Sequence, residues 1–305
     1  MEKEILVSII IPTYKRNSSL KRAINSVLTQ TYKNIEVIIV DDNNPETSYR
    51  KSTEILMGEF SGDSRVIYFK HSHNKNGAAA RNTGIQMSKG EIICFLDDDD
   101  YFLPSKIERQ LEVLLRDKRY RGIYCGRFQS GKEIKPKYKG DLTKEILLLE
   151  FTPTTPTLMF YKDVLIEING FNESFKRHQD FDLLIRFFAK YEINTLDETL
   201  VVIGENEGEN TLNGSELEEL KENFFNSFKF TINKFPKFIQ NEIYSSHYSE
   251  VFWRHLNNNN NKMAMKIFKE NVLKYHFTYL KYIVKYFVMA IKVKSKSRKK
   301  IIYES

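Results

Sequence analysis

Residues 91 to 104 of this chain read EIICFLDDDDYFLP, and this stretch predicts the fold class. An apolar run, of a length typical of a buried strand, ends in four consecutive aspartates, Asp97–Asp100, and Pro104 then opens a segment with helical periodicity. Four adjacent ionised carboxylates repel one another, so a folded chain keeps them together only where water solvates them or a cation compensates them. The stretch therefore predicts a strand end at which negative charge is concentrated.

Two interpretations of this acidic cluster are open. Alternate residues of an extended segment point the same way, which lets Asp97 and Asp99 face one space and share a divalent ion. A solvated acidic turn explains the same residues without a ligand, and motif matches of this kind carry false positives. The rest of the chain has to decide between a metal site and a turn.

The composition is typical of a soluble globular protein. The chain has 305 residues, of which 41% are hydrophobic and 29% charged, enough for one large α/β domain or one domain with an appendage. Cys94 and Cys125 lie in apolar stretches, which predicts two buried, reduced thiols. The N-terminal segment lacks the long apolar region of a secretory signal. We therefore expect a cytoplasmic protein.

The first half of the sequence alternates between predicted strands and predicted helices. The strands are apolar runs rich in β-branched residues, and amphipathic segments follow them. Besides the run before Asp97, they are residues 6–11, 35–40, 66–69 and 123–125. This alternation is the signature of a mostly parallel sheet with helices on its faces.

Polar residues follow three of these strands. Pro12–Arg16 follow the first strand, Asp41 and Asp42 the second, and Asp97–Asp100 the strand quoted above. Turn chemistry and helix capping would explain Asp41 and Asp42 if they stood alone. Ligands of parallel sheets, however, bind beyond the C-terminal strand ends, where all three groups should meet. The convergence favours a shared binding site.

Arg81 and Asp180 are further candidates. Arg81 is the one strong cation of a small-residue segment, 76–85, in which a helix can approach a sheet or a bound ligand closely; a surface arginine is the alternative. Asp180 precedes apolar positions with helical spacing, so N-capping is its simpler interpretation and service as a base the second.

The C-terminal part of the sequence is predominantly helical and ends in a basic tail. We place a domain boundary at 214/215. No acidic residue occurs from Asn271 to Tyr303, and eight lysines or arginines lie between Lys281 and Lys300. An apolar stripe through this segment predicts an interfacial helix on an anionic membrane surface. A core-packed helix with a basic end and a nucleic-acid contact are the alternatives; no recognisable nucleic-acid module favours the latter.

Seven motifs, in order, make the first two thirds of the chain resemble the family 2 glycosyltransferases. They read VSIIIPTY (7–14), SVLTQTY (26–32), VDDN (40–43), GAAARN (77–82), LDDDD with its Asp-x-Asp (96–100), GF (170–171) and QDFDLL (179–184). The resemblance implies a GT-A fold, which is a Rossmann-like α/β domain with a mostly parallel central sheet flanked by helices. It implies a domain over residues 1–214, with a nucleotide half to about residue 125 and an acceptor half over 126–214, and a C-terminal helical extension over 215–305.

The resemblance also implies roles for individual residues. Those around the donor nucleotide would be Pro12, Thr13, Tyr14, Arg16, Asp42, Arg81, Asp97 and Asp98. Asp42 would accept a hydrogen bond from the base, and Asp99 would bind Mn2+ or Mg2+. Asp180 would take the proton of the acceptor hydroxyl. Residues 203–210 contain no histidine, which many relatives have there, so we assign that segment no metal or phosphate contact.

The implied reaction is an inverting transfer of a hexosyl or N-acetylhexosaminyl group from a nucleotide diphosphate sugar, expected to be a UDP-sugar, to a glycan hydroxyl. We expect a role in cell-surface polysaccharide synthesis on the inner face of the plasma membrane, and a polyprenyl diphosphate-linked glycan is a candidate acceptor. A metal-dependent nucleotidyltransferase and a non-catalytic nucleotide-sugar-binding scaffold at the membrane are the alternatives. The first usually needs a glycine-rich loop near the first strand, and Pro12–Asn17 contains no glycine. The second does not explain the presence of both the acidic cluster and Asp180.

Overall fold

The computed structural model describes residues 4–16, 18–152, 154–175, 177–204, 212–272 and 274. The strands are β1 (Val7–Thr13), β2 (Ile35–Asp41), β3 (Val66–Lys70), β4 (Ile92–Phe95), β5 (Tyr101–Phe102), β6 (Tyr120–Gln129), β7 (Lys132–Ile134), β8 (Leu158–Tyr161) and β9 (Glu192–Val202). The helices are α1 (Leu20–Leu28), α2 (Ser48–Gly58), α3 (Gly77–Met87), α4 (Lys106–Arg116), α5 (Thr143–Leu147), α6 (Lys162–Glu167), α7 (Gln179–Phe188), α8 (Gly214–Asn233), α9 (Lys237–Asn257) and α10 (Asn261–Ile267). One turn of 3-10 helix, Thr155–Thr157, precedes β8, and a short π-helix, Phe268–Val272, follows α10.

β1 and β2 form the centre of the parallel part of the sheet because their sequences are apolar and rich in β-branched residues. Every residue of β2 is buried, and Ile9, Ile10 and Ile11 of β1 have no exposed surface. Strands that are buried on both faces are typical of parallel sheets with helices on both sides. The predicted alternation of strands and helices in the first half of the chain is confirmed.

The described strands form one nine-stranded sheet with the order β3-β2-β1-β4-β8-β6-β9-β5, and β7 pairs with β6. The strands β3, β2, β1 and β4 are parallel to one another, whereas β8 is antiparallel to both β4 and β6. β9 is parallel to β6 and antiparallel to β5. The sequence pattern predicts the parallel strands, and the structure adds an antiparallel β8 between β4 and β6.

The strand register brings three strand ends to one edge of the sheet. Thr13 pairs with Asp41 at the ends of β1 and β2, and Ile10 pairs with Phe95 at the end of β4. The polar residues at and after these ends therefore leave the sheet at the same edge. This edge is where parallel α/β sheets bind their ligands.

Gly84 allows α3 to lie close to β1. A Cβ atom at this position would lie 2.3 Å from Cγ2 of Ile10, a residue of β1 with no exposed surface. Only a glycine therefore fits here without a shift of Ile10 or of α3. Three alanines of the same helix, at positions 78–80, are also buried. The small-residue segment predicted at 76–85 thus packs against the sheet and carries Arg81 to the end of β4.

The chain divides into two compact units. The first comprises Met1–Ile146 with Phe151–Glu207 and contains the sheet; the second comprises Leu147–Glu150 with Gly208–Ser305. Within the second unit, α8 and α9 pack through aromatic rings, with the Phe225 ring centroid 4.7 Å from that of Tyr244. The predicted C-terminal helical region is confirmed. The boundary at 214/215, and the division of the first domain near residue 125, stay predictions.

Among the described residues, no helix combines the length and the hydrophobicity that a membrane crossing requires. The tail from residue 275 onward, in which the sequence predicts an interfacial helix, lies outside the described residues.

Replacement of Gly84 by alanine tests the close approach of α3 to the sheet. The added methyl group would lie 2.3 Å from Cγ2 and 2.9 Å from Cγ1 of Ile10. Because overpacking forces side chains and backbone to shift, we expect Gly84→Ala to lower the free energy of unfolding by about 1–3 kcal/mol, measured by urea denaturation. Gly58→Ala is the matched control, since Gly58 is also helical and a Cβ there meets no atom within 4 Å. We expect no loss of stability in the control; unchanged stability of Gly84→Ala would contradict the prediction.

Candidate active site

Asp98 joins the end of β4 to the loop after β1. Its Oδ2 accepts hydrogen bonds from the Thr13 hydroxyl at 2.7 Å and from the Tyr14 backbone N–H at 3.3 Å. The side chain is buried, and burial raises the pKa of Asp98 to about 7, partly opposed by the hydrogen bond from Thr13. Asp98 therefore fixes the loop that the sequence assigns to the nucleotide.

Arg81 connects α3 to two other parts of the site. One of its terminal nitrogens donates to Asp97 Oδ1 at 2.5 Å, and the other donates to Gln179 Oε1 at 3.0 Å. Its guanidinium also lies over the Phe171 ring, 5.4 Å from the centroid. The planar fork of an arginine holds two acceptors in a fixed relation, so the acidic strand end and the first residue of α7 are positioned by one cation.

Asp99 and Asp100 make different contacts. Asp99 forms an ion pair with Arg16 at 3.2 Å, and its carbonyl oxygen accepts a hydrogen bond from Arg22 at 2.6 Å. Asp100 accepts a hydrogen bond from the Gly204 backbone N–H at 2.8 Å. Burial, followed by the charge of the first aspartate of the cluster, raises the pKa of Asp99 and brings that of Asp100 to about 8. The four carboxylates are thus held by protein groups and are not simply a solvated turn.

Asp42 is tied into the loop between β3 and α3. Its two oxygens accept hydrogen bonds from the His71 ring at 2.7 Å, from the Asn74 side chain at 2.8 Å, and from the backbone N–H groups of Lys75 at 2.8 Å and Asn76 at 2.9 Å. The side chain is buried. The contact with a nucleobase stays a prediction, and it would require one of these oxygens to accept a further donor.

Asp180 is the second residue of α7 and not its N-cap, which is His178 in a left-handed conformation with φ 57°. Its one hydrogen bond that involves the side chain is accepted by Oδ1 from the Phe181 backbone N–H at 3.0 Å. The side chain of Asp180 is half-buried. Burial among protein atoms raises the pKa of Asp180 to about 6, and the positive charge of Arg81 opposes this rise. The capping interpretation is therefore wrong, and a carboxylate with spare acceptor capacity remains.

Asp182 has a structural role. It is buried, and its Oδ2 accepts hydrogen bonds from Arg186 at 2.9 and 2.5 Å. Arg186 also donates to the carbonyl oxygens of Gly170, at 2.8 Å, and Ile168. This pair fixes the turn before α7 from within the helix, whereas Asp180 has no such partner among the described residues.

The structure brings most of the predicted site residues into one network. Its members at the strand ends are Thr13, Tyr14, Arg16, Arg81, Asp97, Asp98 and Asp99. Asp180 joins it through its chain neighbour Gln179, Pro12 lies in β1 beside Val40, and Asp42 belongs to the loop before α3. The assigned roles of all these residues stay predictions.

Three residues of the site are absent from the predicted set. Gln179 orients Arg81; Asn43 accepts a hydrogen bond from the Lys15 backbone N–H at 2.8 Å and so holds the loop after β1; His71 binds Asp42. Gln179 and Asn43 lie inside the quoted motifs, which was the available signal. His71 has no such signal, because its pairing depends on the fold.

Comparison with known proteins identifies the family. A family model described as "Glycosyl transferase family 2" matches residues 8–185, more than half of the chain. The chain belongs to glycosyltransferase family 2. It is 31% identical over 203 residues to an uncharacterized glycosyltransferase of Haemophilus influenzae, a match that covers 62% of this chain and 66% of the relative. It is 32% identical over 197 residues to the amylovoran biosynthesis glycosyltransferase AmsB of Erwinia amylovora, with 60% and 64% covered. The chain thus spans slightly less than two thirds of the length of these relatives.

Solved structures support the GT-A fold of this family 2 glycosyltransferase. The mannosyltransferase PcManGT from Pyrobaculum calidifontis, in complex with GDP-Man and Mn2+, aligns over 96% of this chain and 87% of its own with a TM-score of 0.59 and 14% identity. S. aureus TarS 1-349, in complex with UDP-GlcNAc, aligns over 90% and 91% with a TM-score of 0.58 and 14% identity. The predicted GT-A fold is confirmed, and family membership favours glycosyl over nucleotidyl transfer.

The carboxylates at the end of β4 suit a divalent cation whose coordination is completed by further oxygen ligands. The side chains of Asp97 and Asp99 are 35% and 15% exposed, and each ion-paired oxygen faces one arginine, so oxygen atoms remain for a hard cation. No group of three or more His, Cys, Asp or Glu side chains within the described part of the chain is placed to hold a metal by itself. Mg2+ typically uses one or two carboxylates and completes its shell with substrate phosphates and water. Asp99 stays the predicted ligand.

Substitution of the two α7 aspartates separates a structural carboxylate from one available for chemistry. Asp182→Asn leaves Arg186 without its counterion, so we expect the free energy of unfolding to fall by about 2–3 kcal/mol in urea denaturation at pH 7. Asp180→Asn removes a charge that burial disfavours, so we expect a stability equal to or above that of the wild type. An equal loss in both variants would show that Asp180 is also structural.

Proposed function

We propose that this chain is an inverting glycosyltransferase that transfers a hexosyl or N-acetylhexosaminyl group from a UDP-sugar to a hydroxyl of a glycan acceptor. The observation that carries this proposal is the hydrogen-bonded connection from Asp97 through Arg81 to Gln179, the residue before Asp180. A cation suited to phosphate, the acidic strand end and a carboxylate suited to act as a base belong to one connected arrangement.

Arg81 supports the binding of an anionic donor. Its Nε is buried and has no hydrogen-bond partner among the described residues. A buried donor without a partner costs about 1–3 kcal/mol, so Arg81 is a cation whose hydrogen-bonding capacity the described residues do not use in full. The TarS and PcManGT structures contain UDP-GlcNAc and GDP-Man, respectively, which supports a nucleotide sugar as the donor class.

The chemistry follows from the charges of these residues. Asp180 accepts the proton of the acceptor hydroxyl as its oxygen attacks the anomeric carbon. The bond between that carbon and the diphosphate oxygen breaks, and the nucleotide diphosphate leaves with the electron pair. Arg81 donates hydrogen bonds to this leaving group and offsets its charge. One displacement inverts the anomeric configuration and requires no covalent nucleophile. A bound Mn2+ or Mg2+, held by Asp99, would supply further neutralisation of the diphosphate.

The proposed acceptor and location are argued from a relative and from the C-terminal tail. The relative named for amylovoran biosynthesis supports a role in polysaccharide synthesis. The basic, apolar-striped tail supports work on the inner face of the plasma membrane, where a polyprenyl diphosphate-linked glycan would be accessible. We include both in the proposal, with the tail as a contact to anionic lipid.

Calorimetric titration tests the donor site. We expect the wild type to bind UDP or a UDP-sugar more tightly with Mn2+ than with chelator, and Asp99→Asn to lose most of this difference, because a carboxylate ligand is removed. Asp197→Asn is the control, since its carboxylate is 76% exposed and lies in β9 outside the network. Metal-independent binding that is unchanged in Asp99→Asn would refute the metal assignment, whereas tighter binding of another nucleotide would refute only the UDP donor.

Turnover tests the base. We expect Asp180→Asn to lower kcat by about 10²–10⁴-fold and to keep the donor affinity, since general-base catalysis contributes that much. The pKa of Asp180, raised to about 6, predicts that the wild-type rate increases as the pH rises through 6 and the carboxylate loses its proton. The variant should lack this increase. Donor binding without any turnover in the wild type, over a panel of donors and acceptors, would instead support the scaffold alternative.

A further inference from the structure

The end of the α8–α9 helix pair exposes two phenylalanines. We call residues 229–238, which join the last turn of α8 to the first turn of α9, the α8–α9 tip. Phe230 is 76% exposed and Phe238 is 66% exposed, whereas Phe224 and Phe228 of the same α8 are buried. Two residues beyond Phe228 correspond to a rotation of about 200° around the helix axis, so Phe230 points away from the face that packs on α9. These side chains are therefore not part of the core of the second unit.

The same tip carries a concentrated positive charge. Lys229, Lys234 and Lys237 are exposed, and no acidic residue occurs from Asn223 to Asn241. The Lys234 ammonium lies 4.8 Å from the centroid of the Phe230 ring, and Lys237 contacts a glutamine of its own helix. None of the three lysines forms an ion pair with another described residue. Cationic and aromatic side chains thus share one exposed end of the helix pair.

This combination decides the class of partner. Lysine is depleted at protein–protein interfaces, so a protein partner does not explain three lysines around two phenylalanines. A bilayer with anionic lipid matches both, because aromatic side chains partition to the boundary of headgroups and acyl chains while lysines contact lipid phosphates. The net charge of the whole chain, +7, favours approach to the same surface.

We propose that the α8–α9 tip docks on the surface of an anionic phospholipid bilayer, with Phe230 and Phe238 inserted and the three lysines in contact with lipid headgroups. This surface lies in the described part of the chain and differs from the basic tail. It is independent of the proposed transfer reaction, and a failure of one leaves the other intact.

A fluorescent label on the tip of the full chain tests the insertion. The thiols of Cys94 and Cys125 are buried. A thiol-reactive nitrobenzoxadiazole dye should therefore label the exposed cysteine of Phe238→Cys and leave the two native cysteines unlabelled. We expect a blue shift and a gain in intensity with vesicles of phosphatidylcholine and phosphatidylserine, and no change with phosphatidylcholine alone. Ile55→Cys is the matched control, since Ile55 on α2 is 76% exposed, and it should show no shift. Binding to the vesicles without a shift at residue 238 would overturn the proposal.

Co-sedimentation with the same vesicles measures the contribution of the tip. We expect the full chain with Phe230→Ser and Phe238→Ser, or with all three lysines changed to glutamate, to bind at least about tenfold more weakly. Ile55→Ser should bind as the wild type does. Both sets of changes are at exposed positions, and circular dichroism verifies the fold. Unchanged vesicle binding of these variants would show that the tip is not a lipid contact. This holds whether or not the variants also lose self-association in lipid-free size-exclusion chromatography.

Discussion

The mutual repulsion of four adjacent carboxylates is the constraint on which the active-site end of this sheet depends. Asp97–Asp100 are adjacent in sequence, yet their partners come from three separate parts of the chain. Arg81 of α3 pairs with Asp97, and Gly204 after β9 donates its backbone N–H to Asp100. Thr13 and Arg16, at and after the end of β1, contact Asp98 and Asp99. A single loop could not supply these donors. Groups from β1, α3 and the segment after β9 therefore offset the repulsion between the carboxylates at the end of β4. The folded sheet holds these segments together.

The packing of α3 makes the electrostatic arrangement possible. Because Gly84 lets α3 lie against Ile10, the side chain of Arg81, three residues earlier in the same helix, contacts both Asp97 and Gln179. An arginine on a mobile loop would require the backbone of that loop to lose conformational entropy before it could make the same contacts. Small residues on one helix thus determine the position of Arg81, the cation that contacts both the acidic strand end and α7.

The sequence predicts the part of the site that depends on local pattern. Strand-length apolar runs that end in polar residues predict the shared edge of β1, β2 and β4, since parallel strands place their C-terminal ends together. The local pattern does not predict which partner each side chain finds. Arg81 and Gln179 are 98 positions apart, and Asp42 is occupied by donors from the loop before α3, whose approach depends on the tertiary fold. The local pattern also does not predict the position of β8 between β4 and β6, because strand order is set by non-local pairing.

The number of protein donors to each carboxylate separates scaffold from chemistry. Asp42 accepts four hydrogen bonds and Asp182 is held by Arg186, so protein groups already satisfy both carboxylates. Asp180 accepts one hydrogen bond from its own helix, in surroundings that disfavour its charge, and Asp99 pairs with one arginine. A carboxylate that the protein leaves incompletely satisfied gains most from a proton, a cation or a substrate hydroxyl. By this criterion these four aspartates fall into two groups, and the two with spare acceptor capacity belong to the network that joins the acidic end of β4 to α7 through Arg81.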